Sequence, residues 1–206
     1  MRSSIRRPIR IGEAGWGPAG GLQRQKYEPP FVGQDQGLEA TISNGLQEGL
    51  SAIYVGAGNK LYADTFAPYT YNGVVAIFNP PYSGGSTPTS TITYGLSRPS
   101  GIIVDHSGKL YIADASSNLV NIYTPPFTGS TQGLSQTITS GIAVPEQLAF
   151  DSAGNLYVAN QFAGVTIYAP PYSGAPQSIT NGVLVPLGVA VQPGTLCSSR
   201  TKMKDC

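Results

Sequence analysis

A chain of 206 residues is long enough for one or two domains, and its 40 % of apolar residues excludes a wholly disordered polymer. Only 11 % of the residues are charged, while Gly and Pro fill 26 and 17 positions, a composition of turns and strands rather than of helices. No apolar run approaches the roughly 18 residues a membrane helix needs, so no membrane span is expected.

The net charge of +1 is unevenly spread. Within residues 1–26, Arg2, Arg6, Arg7, Arg10, Arg24 and Lys26 stand against Glu13 alone, whereas residues 27–196 carry only Lys60, Arg98 and Lys109 against nine carboxylates. Short charged termini are usually solvated, and Trp16 is the arm's one aromatic, so residues 1–26 are read as a basic disordered arm with no nucleic acid partner. Arg6-Arg7 invites an export reading, but Pro8, Arg10 and Glu13 occupy the place of an apolar region and no signal peptide is read. Gly15 to Gly20 satisfies G-x-G-x-x-G with no strand before it, and Pro18 disfavours a helix after it, so no dinucleotide site and no cofactor are expected.

From Tyr27 onward the chain repeats. The motif P-P-[YF]-[ST]-G stands at Pro80–Gly84, Pro125–Gly129 and Pro170–Gly174, a period of 45 residues. Around it four short runs recur in fixed order. The first is an apolar run (IIVD, 102–105; LAFD, 148–151). The second is KLYAD (60–64), KLYIAD (109–114) and NLYVAN (155–160). VVAIF (74–78), LVNIY (119–123) and GVTIY (164–168) form the third, and STIT (90–93), QTIT (136–139) and QSIT (177–180) the fourth. Four β-branched or aromatic runs per repeat, divided by Gly, Pro, Asn and Asp turns, predict one four-stranded antiparallel blade each. Inner strands are predicted at 52–55, 101–105, 147–151 and 187–191. The Pro pair ends the third strand, since proline fixes φ and cannot join the ladder.

The run from Pro99 through Asp105 to Asp114 resembles the NHL-type β-propeller repeat, P-x-G-[IL]-A-V-D-x-x-G-[NK]-[IL]-Y-V-A-D, nearly throughout. Pro145–Asn160 matches with Gln147 in the Gly position, and Leu50–Asp64 is a weaker copy that lacks the turn Asp and one residue of the second strand. The resemblance covers about residues 27–196 and implies an all-β propeller segment, an incomplete ring with complete blades at about 47–94, 95–140 and 141–181. Similar repeats are often secreted or cell-envelope proteins, and the chain itself leaves the compartment open.

At both ends the pattern stops. Upstream of Tyr27 the third-strand position reads Leu-Gln-Arg-Gln-Lys, and past Leu196 Cys197-Ser198-Ser199-Arg200 replaces Tyr-Val-Ala-Asn, so 197–206 is read as a disordered tail. Cys197 and Cys206, both in that tail, cannot staple the body of the fold. A six-bladed ring at this period needs about 270 residues. Three explanations compete: a truncated copy of a longer gene, a fragment that closes by association, and a compact ring whose fourth blade joins both ends. The loss of pattern at both ends favours the first.

Chemistry is sparse. His106 is the single histidine, which excludes a multi-histidine metal site, and it occupies a hairpin turn, DHSG, where the next repeat has Ser152. No catalytic residue and no metal ligand are assigned. Asp105 and Asp151 are read as turn residues accepting backbone amides, with Gly108 and Gly154 at positive φ. Asp64, Asp114 and Asn160 each end a second strand, at the blade edge where the inner strand begins and where Arg98 and Glu146 also arrive. These five are the candidate polar rim facing a ligand, with strand-end capping as the plainer role. Tyr62, Tyr111 and Tyr157, with Phe78, Tyr123 and Tyr168, are read as packing between blades.

The function expected is a non-enzymatic propeller scaffold for a protein or glycan ligand, self-associating through open blade faces. The alternative is a remnant of a propeller hydrolase or lyase of the gluconolactonase-like or virginiamycin B lyase-like families.

Overall fold

The structure, a computed structural model, describes residues 24–27 and 38–191. The glycine motif at 15–20, the Arg6-Arg7 pair, Cys197 and Cys206 lie outside the described residues. Among the described residues no helix is long and apolar enough to cross a membrane.

Among the described residues fourteen strands account for nearly all the regular structure, with a single 3-10 turn at Ala57–Asn59. β1 (Arg24–Tyr27) pairs antiparallel with β2 (Leu38–Ile42). Three four-stranded antiparallel sheets follow, each formed in sequence order from the inner strand outward. Blade 1 holds β3 (Gly49–Val55), β4 (Leu61–Ala67), β5 (Asn72–Phe78) and β6 (Ser90–Ile92). Blade 2 holds β7 (Pro99–Val104), β8 (Leu110–Asp114), β9 (Leu119–Tyr123) and β10 (Leu134–Ile138). Blade 3 holds β11 (Pro145–Phe150), β12 (Leu156–Asn160), β13 (Gly164–Tyr168) and β14 (Gln177–Ile179).

Two strand expectations are corrected. The strand pattern does not end at Tyr27, because residues 24–26, assigned to a disordered arm, continue with Tyr27 as a strand that pairs with β2; ladder hydrogen bonds are made by the backbone, and a polar sequence does not prevent them. The inner strand expected at 187–191 is not formed. No described strand lies beside this segment to close a ladder, and a lone extended segment is not a sheet. Its Val189 amide instead donates to Gln147 Oε1 at 2.9 Å.

The blades stack through alternating side chains, since successive residues of a strand point to opposite faces. Tyr62, Val75, Ile77 and Ile92 of blade 1 meet Ile102, Leu110, Ile112 and Tyr123 of blade 2 in one buried cluster. Tyr111, Val120, Ile122 and Ile138 of blade 2 meet Leu148, Leu156, Val158 and Tyr168 of blade 3 in the next. Ile42 of β2 covers the other face of blade 1 against Ala63, Ala76 and Phe78. The recurrent tyrosines are therefore interior packing, except Tyr157, which is partly exposed on the outer face of blade 3.

Inner strands lie side by side, β7 between β3 and β11. A Cβ on Gly101 would run into the Glu146 carbonyl and the Gln147 backbone, so glycine permits the close approach of adjacent inner strands. Ser100 Oγ then donates to Pro145 O at 2.6 Å across the same seam. The chain entering a blade is tied by a tyrosine of that blade's third strand: Tyr123 OH donates to Tyr94 O, and Tyr168 OH to Ser140 O, both at 2.6 Å. Each of these carbonyls precedes a left-handed glycine, Gly95 and Gly141, that turns the chain inward. Among the described residues the Pro-Pro bonds Pro80-Pro81, Pro125-Pro126 and Pro170-Pro171 are cis.

Candidate functional site

The two edges of the blades do different work. At one edge the inner strand turns into the second strand through an aspartate-anchored hairpin. Asp105 Oδ1 accepts the amides of Ser107 (2.8 Å) and Lys109 (2.9 Å), and Asp151 Oδ1 accepts those of Ala153 (2.9 Å) and Asn155 (2.8 Å). Gly108 (φ 85°) and Gly154 (φ 81°) complete the turns. Burial pulls the Asp105 pKa upward, but hydrogen bonds from Ser107, Lys109 and Tyr111 outweigh it and hold the carboxyl below its ordinary value. At Asp151 the Asn155 amide side chain is the largest cause of a shift in the same direction. His106 sits exposed in this turn, at the far end of β7 from Arg98.

The other edge, where inner strands begin and second strands end, holds the five residues singled out in the sequence. Three of them are not on its surface. Asp64, Asp114 and Asn160 are fully buried. Asp114 accepts the amides of Ser97 (2.5 Å), Arg98 (3.2 Å) and Ser117 (3.0 Å), which locks the entry into β7. Asn160 accepts the Ala143 amide at 3.2 Å and donates to Val158 O and Thr166 Oγ1. As ligand-facing rim residues these are corrected. A side-chain oxygen of each is turned inward because backbone that enters or bulges within the inner strand leaves amides that need an acceptor.

Asp64 also departs from its expected place. β4 does not end there but runs on to Ala67, paired through Ala67↔Asn72 with a longer β5. The residue missing from KLYAD shifts the register. Measured from Leu61↔Phe78 and Leu110↔Tyr123, Asp64 occupies the position of Ala113, and Thr65 that of Asp114. A one-residue slip moves a side chain to the opposite face of its strand. Asp64 Oδ1 accordingly accepts amides of its own inner strand, Ser51 (3.2 Å) and Ala52 (2.5 Å), within the β-bulge of β3.

Arg98 and Glu146 are brought together. Their side chains, partly exposed, approach to 3.8 Å from adjacent blades, and Gln161 Nε2 donates to the same Glu146 Oε1 at 2.6 Å. Burial is the largest influence on Glu146 and raises its pKa, opposed by the Arg98 charge and the Gln161 hydrogen bond. The cluster can offer a polar ligand a guanidinium, a carboxylate and an amide over the seam between blades 2 and 3.

Aromatic side chains missed in the sequence share this edge. Tyr69 (92 % exposed) and Tyr71 tip the lengthened β4–β5 hairpin, and Phe162 (74 %) tips the β12–β13 hairpin beside Gln161. The available signal was their departure from the repeat: blade 1 carries the extra Ala67-Pro68-Tyr69-Thr70-Tyr71, and Phe162 falls where a turn is usually polar. Among the described residues no group of three or more His, Cys, Asp or Glu could hold a metal ion.

No family model matches the chain, and no curated protein matches it. Solved structures do. A streptogramin B lyase structure matches with a TM-score of 0.57 at 10 % identity, over 86 % of this chain and 57 % of that one. A functionally unknown protein from Desulfotomaculum acetoxidans DSM 771 matches with 0.59 at 16 % identity, over 85 % and 56 %. The PQQ-bound aldose sugar dehydrogenase from Streptomyces coelicolor matches with 0.50 at 16 % identity, over 77 % and 58 %. The chain is thus an all-β protein of propeller fold, with three four-stranded blades described, and the matches cover less than two thirds of those neighbours' length.

Proposed function

We propose that this chain is an NHL-like propeller unit that acts without catalysis as a binding scaffold, taking a protein or glycan ligand at the edge where its inner strands begin. One observation supports this above the others: the partly exposed Arg98–Glu146–Gln161 cluster stands at the same edge as the exposed rings of Tyr69, Tyr71 and Phe162. Exposed aromatic faces beside a few directional polar groups suit recognition of sugar rings or of a peptide surface, because stacking gives area while the polar groups fix orientation. Asp64, Asp114 and Asn160 support the non-catalytic reading. Each is buried and accepts at least one backbone amide through a side-chain oxygen, a structural duty within its own blade.

The test is amide chemical-shift mapping on the 15N-labelled chain during titration with a panel of neutral and acidic oligosaccharides and of peptides. Shifts clustered on Tyr69, Tyr71, Arg98, Glu146 and Phe162, abolished in Arg98→Ala and Phe162→Ala, are expected. Shifts confined to the outer strands would overturn the proposal. Turnover of a lactone or cyclic ester, lost in Glu146→Gln, would establish the hydrolase or lyase alternative instead.

A further inference from the structure

Blade 3 presents to solvent the face that blades 1 and 2 bury. On those two blades the four positions of this face are closed: Tyr62, Val75, Ile77 and Ile92 in the first, Tyr111, Val120, Ile122 and Ile138 in the second, none more than 6 % exposed. On blade 3 the same positions are Tyr157, Val165 and Ile167, all partly exposed, and Ile179, 47 % exposed. Leu184 and Leu187, beside them in sequence, are 88 % and 64 % exposed. An exposed apolar face of this kind normally marks an association site.

The face also contains a shaped hollow of about 170 Å³, lined by Asn155, Tyr157, Ile167, Ala169, Ala175 and Gln177. Its counterpart one blade earlier is filled, which shows what belongs there. Tyr111 packs edge-on against Phe150, with ring centres 4.9 Å apart, and against Tyr172, at 5.7 Å. Tyr172 is the aromatic residue of the Pro-Pro-aromatic motif of the following blade. Gln136, one repeat before Gln177, donates through Nε2 to the carbonyl of Pro171 in that same motif at 3.1 Å. Tyr157 and Gln177 are the same two residue types at the same two positions. The hollow is therefore a socket for the motif of an incoming blade: a ring against Tyr157 and a proline carbonyl against Gln177.

We infer that a second copy of this chain fills the socket, presenting its β1–β2 hairpin head-to-tail. Three observations single out that occupant. β1 and β2 occupy the third and outer strand positions of a blade, and the residues joining them read Pro29-Pro30-Phe31, the motif the socket accepts. The hairpin is held on blade 1 through Ile42, so it can serve another copy's open face without leaving its own. Residues 187–191, bound to Gln147 through Val189, lie where the inner strand of the same composite blade belongs. Val191 then matches Phe150 by position, and Phe31 of the second copy matches Tyr172. The joint is heterologous, one surface meeting a different one, so it propagates until a ring closes.

Sedimentation equilibrium of the full chain across a hundredfold range of concentration tests this. The inference expects a mass at least twice the 21.5 kDa of one chain. Gln177→Arg and Ile179→Glu, at a face already exposed to solvent, should each return it to one chain with an unchanged far-ultraviolet spectrum, and Phe31→Ala should weaken association at least tenfold. A second measurement does not depend on those variants folding. In a background with Cys197→Ser and Cys206→Ser, the thiol introduced by Ile179→Cys should be protected from maleimide at high protein concentration and should react on dilution. A monodisperse 21.5 kDa chain at every concentration would overturn the inference. So would association that survives both socket variants, or a maleimide labelling rate of the Ile179→Cys variant that does not depend on concentration.

Discussion

Replacing Asp114 by Ala tests whether the buried acid, rather than apolar packing alone, positions the candidate site. Asp114 is fully buried and accepts three amides, from Ser97, Arg98 and Ser117. A hydrogen bond to a charged group contributes about 1.5–3 kcal/mol, and an orphaned buried donor costs about 1–3 kcal/mol. Three contacts at the low end give about 4.5 kcal/mol, and partial opening of the entry segment to water recovers some of that. The expected loss is therefore about 3–5 kcal/mol. Asn160→Ala removes one amide acceptor and two donated bonds of a neutral group, at about 1–3 kcal/mol.

Urea unfolding followed by circular dichroism measures the difference. At a slope of roughly 2 kcal/mol/M, Asp114→Ala should move the midpoint by about 2 M and Asn160→Ala by about half as much. Amide hydrogen exchange gives the local readout: Ser97, Arg98 and Ser117 should lose protection in Asp114→Ala while the amides of Ala153 and Asn155, tied to Asp151, keep theirs. A midpoint shift below about 0.5 M, or unchanged protection at Ser97 and Arg98, would refute the assignment. It would also separate the Arg98 side chain from the anchoring argued for it.

The remaining expectations concern single contacts. Tyr123→Phe and Tyr168→Phe each delete one hydroxyl that donates to the carbonyl entering its blade, and should each cost about 0.5–1.5 kcal/mol by urea unfolding. Thr65→Val should be neutral or stabilising by about 1 kcal/mol, because the buried Thr65 hydroxyl has no hydrogen-bond partner and the valine removes it at nearly constant shape. Gly101→Ala should destabilise by about 1–3 kcal/mol, since the added methyl meets the backbone of β11 in the next blade. Acid titration has a definite sign: Asp105 and Asp151 have folded pKa values below the ordinary carboxylate value of about 3.9, so the folded state binds fewer protons there. Their stabilisation is present above about pH 4 and is lost as pH falls through the lowered values, and Asp105→Asn with Asp151→Asn should flatten that acid limb of a thermal-unfolding profile.

The blades were legible because their determinants are local. Period-2 alternation, the Pro pairs and the Asx turns at Asp105 and Asp151 act within a few residues, and each recurs three times or nearly so. What escaped is non-local. Whether Arg24–Tyr27 forms a strand depends on β2 across a connection of ten residues, and whether 187–191 does depends on a partner beside it. Asp64 was misplaced because a motif match cannot see which residue of a shortened strand slips. The ladder compensates by pairing Asp64 with Val75 and carrying the hairpin on to Ala67.

The candidate site follows a different logic from the repeat. A residue that recurs between blades 2 and 3 meets the same backbone in both, and its side chain is recruited to the same duty: Asp114 and Asn160 to entry amides, Asp105 and Asp151 to turns, Tyr123 and Tyr168 to linker carbonyls. Groups fully occupied in this way have little left for a ligand. The residues free to face one are those that break the pattern. Arg98 and Glu146 have Val144 and Ser100 at their counterparts one blade away, Tyr69 and Tyr71 lie in an extension peculiar to blade 1, and Phe162 replaces a polar turn residue. In a stacked-blade protein the fold is therefore read from what repeats, and the binding edge from what is left when the repeat is subtracted.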